Sequence, residues 1–188
     1  MSLISYIVYF AWLLSEILLH RLLRGGKSSD KKKQDRGSLA LIWIVLIICL
    51  NIAVVITQFS SYPIVHDGRT MHYIGLAIII AGMLFRYAAI ASLGRLFTVV
   101  VTIREGHTIK KDGLYKLIRH PAYAGSLLSF LGFGLSLNNW IGLLVAFVPV
   151  LFSFIYRMNI EEKMLLEQFG EAYSDYMRTT KRVLPWIY

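Results

Sequence analysis

The sequence predicts an all-α integral membrane protein of about five transmembrane helices, the last two forming a tight helical hairpin, with a polar cytoplasmic segment and a C-terminal amphipathic helix. Three observations carry this. The 188 residues are 56% hydrophobic, with a mean hydropathy of +0.58, more than a soluble fold of this size needs to fill its core. Several apolar runs are long enough, at about 1.5 Å per residue, to cross a hydrocarbon core of about 30 Å. The charges, +9 net, fall in short stretches between those runs, where they set topology and touch anionic lipid headgroups. That distribution argues against nucleic acid as a partner. Cys49 is the only cysteine, so an internal disulfide and a cysteine-based metal cluster are both excluded. The chain reads as a single membrane domain, 1–188, with three spans in 1–93 and the chemistry in 94–188.

The first span runs from Leu3 to Leu23 and reads as a retained helix, since it has neither a basic leader nor a small-residue cleavage site. Glu16 and His20 share one of its faces and are expected to form a polar patch toward neighbouring helices. Residues 24–37 are basic and without apolar content. This places the loop in the cytoplasm and the N-terminus outside.

The second span, about Leu39 to Phe59, is free of charge. The loop from Ser60 to Thr70 is much less basic, as an external loop should be. His66 and His72 lack a third ligand and a regular spacing, so no metal site is predicted. The third span, about Tyr73 to Leu93, is rich in Gly and Ala, which suits close helix packing in lipid. Arg86 needs a partner there or must reach the interface, and reaching the interface is the cheaper solution.

From Gly94 the chain stops being oily for about thirty residues. A β-branched run, 95–104, is expected to lie extended along the membrane surface. The stretch from His107 to Gly125 follows on the cytoplasmic side with Lys110, Lys111, Lys116 and Arg119. Apolar runs then cover Ala124 to Leu137 and Trp140 to Tyr156, separated by Asn138-Asn139. Neither is generous for a full crossing, and the short turn predicts the hairpin. Pro149 is expected to kink its second arm. From Arg157 the pattern becomes amphipathic, with Met158, Leu165, Phe169, Tyr173, Tyr176 and Met177 at helical intervals. Lys181, Arg182, Trp186 and Tyr188 complete an interfacial anchor.

Candidate chemistry gathers on the cytoplasmic side. Arg157 and Glu161, four apart, face the same way; spacing alone allows an ordinary surface ion pair. Their position tips the balance, because a short hairpin connection makes its open ends spatial neighbours and sets this pair beside His120-Pro121-Ala122-Tyr123. Pro121 suits a first helical turn, which holds Arg119 and His120 at a helix N-terminus favourable to polar or anionic groups. Simple anchoring of Arg119 and His120 at headgroups stays open on physics alone.

The run Gly113-Leu-Tyr-Lys-Leu-Ile-Arg-His-Pro-Ala-Tyr-Ala-Gly125, followed after two apolar arms by the segment from Arg157 to Tyr176 with its Glu161-Glu162 pair, resembles the signature of the isoprenylcysteine carboxyl methyltransferase family of membrane methyltransferases. The resemblance covers roughly residues 90–188. It implies S-adenosylmethionine bound on the cytoplasmic side. Carried over by position, it implies that His107, Thr108, Ile109, Lys110, Tyr115, His120, Pro121, Ala122, Tyr123 and Glu161 bind the cofactor, that Arg157 holds the methyl acceptor, and that Arg157 and Glu161 form the catalytic pair. No metal is implied. Two departures stand out. Lys110 replaces a commonly apolar residue, which shifts its contact to the backbone. Around Val100 there is no glutamine of the kind eukaryotic members use.

The residue chemistry is compatible with these roles. A sulfonium donor is already activated, so the protein must mainly align an acceptor lone pair behind the methyl and exclude water. The faces of Tyr115 and Tyr123 suit a sulfonium, Glu161 can accept hydrogen bonds from the cofactor's polar end, and Arg157 can grip a carboxylate. A carboxylate acceptor needs no general base, which slightly favours it over an amine, although His120 could act as a base. The expected partners are a lipophilic acceptor arriving from the bilayer, prenylcysteine-type by preference, and membrane lipids. Phospholipid or amine N-methylation is the nearest alternative; a nicotinamide-dependent membrane reductase and a non-catalytic scaffold are more distant ones.

Overall fold

The computed structural model describes residues 2–22, 36–94 and 109–185. The basic loop, the β-branched run after Gly94, His107 and Thr108, and the Trp186 and Tyr188 anchor lie outside the described residues, as does the side chain of His20. Six α-helices are described: α1 (Leu3–Leu22), α2 (Arg36–Phe59), α3 (Gly68–Leu93), α4 (Pro121–Ser136), α5 (Trp140–Phe169) and α6 (Glu171–Thr179). A 3-10 turn, Gly113–Lys116, precedes α4. Among the described residues three helices, α2, α3 and α5, are long and apolar enough to cross a membrane.

Helix α4 has 16 residues and eleven of them are buried, so it is an interior element clasped by its neighbours. It packs most extensively on α3, while α5 packs most extensively on α2. Small side chains allow the first contact. Gly125, Ser129, Gly132 and Ser136 on α4 face Gly75, Ile79, Gly82 and Arg86 on α3 in antiparallel register, at the same 4-3-4 spacing on both helices. A Cβ at Gly75 would lie 2.5 Å from the Ser136 backbone nitrogen and 2.6 Å from the Gly132 carbonyl oxygen. Gly75→Ala is therefore expected to lower stability by about 1–3 kcal/mol through overpacking. Thermal unfolding in detergent measures this, and an unchanged midpoint would mean that α3 and α4 are not in such close contact.

The α4–α5 connection, Leu137-Asn138-Asn139, is tied to the α2–α3 loop. Asn138 exchanges two hydrogen bonds with the backbone of Val65, Asn139 donates to the Ser60 carbonyl, and the Trp140 amide donates to the Tyr62 carbonyl. These ties gather the two loops at one end of the bundle. The first residues of α3, α5's polar half, α6 and the start of α4 thereby sort by end, with the last three at the opposite end from the loops. Helix α1 lies along α3 and α4 through one seam spaced at 5, 9, 12 and 16. Ser5 meets His72 at 2.7 Å, Tyr9 meets Ser136 at 2.6 Å, Trp12 packs edge-on against Phe130, and Glu16 pairs with Arg86 at 3.1 Å.

Two expectations change here. Arg86 does not escape to an interface; its side chain is 13% exposed and is held by Glu16 and the Ser126 hydroxyl, because an ionic partner on a neighbouring helix outweighs the gain from extending along its own. The tail is not a separate amphipathic helix beginning at Arg157. Helix α5 runs 30 residues without interruption through Pro149 and Arg157, and ends where Gly170 takes a positive φ of 54°.

Candidate active site

The end of the bundle opposite the α2–α3 and α4–α5 loops is held together by one carboxylate. Glu162, 3% exposed, accepts from Arg119 Nε at 2.8 Å, from His120 Nε2 at 3.1 Å and from Arg182 Nη2 at 2.6 Å. Arg119 also donates to the Thr180 and Met177 carbonyls. Backbone pairing fixes the same segments: the amides of Arg119 and His120 donate to the carbonyls of Lys181 and Arg182 at 2.7 and 2.9 Å. The chain after α6 thus lies alongside residues 117–120 and locks the approach to α4. Tyr176 completes the lock by donating to the Tyr115 carbonyl at 2.6 Å; burial pushes its phenol up to about 12, so it stays a donor through the physiological range.

On this frame stands the cluster anticipated from the sequence. Pro121 is the first residue of α4, and His120 immediately before it is buried. The His120 ring stacks on Tyr123 at 5.4 Å and 16°. The Tyr123 hydroxyl donates to Glu161 Oε2 at 2.8 Å and accepts from Arg157 Nε at 3.0 Å. Arg157, 2% exposed, also donates to the Ser38 hydroxyl of α2 at 2.9 Å. The Glu161 side chain keeps 28% of its surface open.

These groups line a cavity of about 810 Å³, open mouth included. Tyr115, His120, Tyr123, Arg157 and Glu161 make its polar end, and Ile42, Trp43, Leu46, Phe130 and Phe154 make an apolar wall. Such a cavity can take a polar or cationic group against aromatic faces and a carboxylate, and a greasy chain beside it. Ala122 also lines it, whereas Pro121 is fully buried and acts through the backbone. Ile109 and Lys110 are half-buried and are not among the residues that line the cavity. Lys110 Nζ pairs with Asp112 at 2.9 Å and draws that carboxyl below its usual range, so its side chain is engaged locally. Among the described residues no group of three or more His, Cys, Asp or Glu could hold a metal.

A rice protein (Oryza sativa subsp. indica), named a probable protein-S-isoprenylcysteine O-methyltransferase, is 33% identical over 135 residues, 70% of each chain. Protein-S-isoprenylcysteine O-methyltransferase A of Arabidopsis thaliana is 31% identical over 144 residues, 76% of this chain and 73% of its own.

The chain belongs to the isoprenylcysteine carboxyl methyltransferase family. A family model, phospholipid methyltransferase, matches residues 70–172, more than half of the chain, including Tyr115, His120, Tyr123, Arg157 and Glu161 at the polar end of the cavity. The fold agrees as well: the solved eukaryotic intramembrane Ras methyltransferase, an isoprenylcysteine carboxyl methyltransferase, aligns with a TM-score of 0.70 at 24% identity, over 96% of this chain and 64% of its own. The chain is therefore an integral membrane methyltransferase of this family.

Glu162 is the functional residue that reading from the sequence did not single out. Adjacent residues on a helix point about 100° apart, so Glu161 and Glu162 cannot do the same work. One faces the cavity and the other the packed tail. The doubled glutamate is itself the signal. Ser38 was equally hidden, since a serine in the first turn of an otherwise apolar helix suggests a cap before it suggests a partner for an arginine 119 residues away.

Proposed function

We propose that the chain transfers a methyl group from S-adenosylmethionine to the carboxylate of a prenylcysteine-type acceptor drawn from the bilayer. The observation that carries this is Arg157, a buried guanidinium at the junction between the polar end of the cavity and its apolar wall. The cofactor fits the donor set: stacked His120 and Tyr123 rings, the Tyr115 ring and a partly open Glu161 suit a sulfonium with a cationic, hydrogen-bonding tail. S-adenosylmethionine supplies, when bound, an activated methyl on positively charged sulfur. His120, Tyr123, Tyr115, the Ala122 backbone and Glu161 would hold it, with His107 to Lys110 completing the cradle.

Arg157 orients the acceptor carboxylate in a planar fork, so that an oxygen lone pair points along the line of transfer. Tyr123, bonded to both Arg157 and Glu161, couples the acceptor's grip to the cofactor's. The apolar wall excludes water and receives the acceptor's chain. A carboxylate is already ionised, so no side chain has to remove a proton. An outside N-terminus and a cytoplasmic catalytic face are supported by the basic loop 24–37, which adjoins the same end of α2 as Ser38.

The phospholipid methyltransferase match favours one rival, N-methylation of a lipid amine. Purified protein supplied with methyl-labelled S-adenosylmethionine and equal amounts of N-acetyl-S-farnesylcysteine and phosphatidylethanolamine decides between them. Base-labile label on the farnesylcysteine is expected; base-stable label confined to the phospholipid would sink the proposal.

A further inference from the structure

One charged pair in the cavity wall has no part in the chemistry above. Glu16 of α1 and Arg86 of α3 both line the cavity and meet at 3.1 Å, each side chain 13% exposed. Two charges at this depth in a chain so apolar are expensive, and such groups commonly serve a substrate path. The pair is also held in place with care. Ser5, Tyr9 and Trp12 fix the preceding turns of α1 on the same face, so Glu16 is the last rung of an anchored seam. Arg86 Nη1 donates to the Ala122 carbonyl and the Ser126 hydroxyl, and Nη2 meets Glu16 Oε2. Among the described residues Arg86 Nε is buried without a hydrogen-bond partner.

Position supplies the second half of the case. Arg86 reaches Ala122 from α3, and Arg157 reaches the neighbouring Tyr123 from α5. The two guanidinium groups therefore flank the same turn of α4. A carboxylate oxygen beside a guanidinium offers an acceptor and a donor together, the complement of a secondary amide with its N–H and C=O. With an acceptor carboxylate on Arg157 and its thioether arm along Phe130 and Phe154, this pair is the part of the lining outside the proposed cofactor cradle that offers both a hydrogen-bond acceptor and a donor to the amide on the same carbon.

We infer that Glu16 and Arg86 form a subsite for the secondary amide adjoining the acceptor carboxylate, giving the enzyme a preference for peptide-type, N-acylated acceptors. The inference rests on the proposed prenylcysteine reading. Its test compares N-acetyl-S-farnesylcysteine with S-farnesyl-3-mercaptopropionate, which keeps the carboxylate and the chain but lacks the acylamino group. The wild-type protein is expected to favour the amide by about tenfold in kcat/KM, the scale of a single well-placed hydrogen-bonded group.

In the doubly apolar variant Glu16→Leu/Arg86→Met, chosen because replacing a whole buried pair is better tolerated than breaking it, the preference is expected to fall to within about twofold of parity, mainly through the KM of the amide. Glu16→Gln keeps an acceptor oxygen and is expected to retain most of it. An undiminished preference in the double variant, or an equal loss on both acceptors, would overturn the subsite. Wild-type protein that esterifies neither acceptor while methylating a lipid amine would instead overturn the proposed function, and the subsite with it.

Discussion

Arg157→Ala is expected to reduce kcat/KM for a prenylcysteine-type acceptor by about 10²–10³-fold, the cost of removing one partner from a buried, hydrogen-bonded charge pair. Affinity for S-adenosylmethionine should change far less. The structure separates the two effects: Arg157 touches Tyr123 and Ser38, whereas His120 is held by Glu162 and Glu161 by the Tyr123 hydroxyl. Arg157→Lys should recover little, because an ammonium cannot reproduce the planar fork and its shorter reach does not serve both hydroxyls. Methyl transfer at varied acceptor concentration, with cofactor binding by calorimetry on the same samples, provides both readouts. If cofactor affinity fell by as much as turnover, Arg157 would belong to the cofactor cradle and the carboxylate grip would have to be sought elsewhere.

Helices and site differ in how far they could be read from the residues. The apolar runs at 39–59 and 73–93 anticipate α2 and α3 well, because an apolar run of that length, free of charge in the first and carrying only Arg86 in the second, has few other fates. Helix α3 starts at Gly68, ahead of the expected Tyr73: Asp67 caps it through the amides of Arg69 and Thr70, and a cap inside a polar loop is masked by its surroundings. The small-residue register of α4 is visible at Gly125, Ser129, Gly132 and Ser136, yet its consequence, a 16-residue helix buried on nearly all sides, depends on which neighbour answers it. At Arg157 the composition changes while the helix continues. No residue between Pro149 and Gly170 can end a helix, so the apolar and polar halves of α5 are one rod. That rigidity is what delivers Arg157 and Glu161 to Tyr123. Contacts between distant spans, Glu16 with Arg86 and Arg157 with Ser38, carry no local signature at all.

Glu162→Ala is expected to be the most destabilising single change at this end of the molecule, by about 3–5 kcal/mol, because it strips a buried network of the carboxylate that compensates it. Arg119 and Arg182 would face each other across a void, with His120 losing its Nε2 acceptor. The backbone pairing of Arg119 and His120 with Lys181 and Arg182 depends on that neutralisation. Its loss should expose the segment 180–185 to protease, and free His120 from the stacking geometry it holds on Tyr123. Cofactor affinity then falls as a consequence of lost order. Glu161→Gln provides the contrast. Its side chain is partly open and, among the described residues, meets only Tyr123 at hydrogen-bonding distance, so stability should move by no more than about 1 kcal/mol, while cofactor affinity drops directly. Thermal unfolding in detergent, limited proteolysis and cofactor titration on the two variants distinguish a glutamate that builds the site from one that works in it. The reverse pattern, with Glu161 destabilising and Glu162 silent toward unfolding, would exchange their roles and place the cofactor's polar end on the tail side of α5.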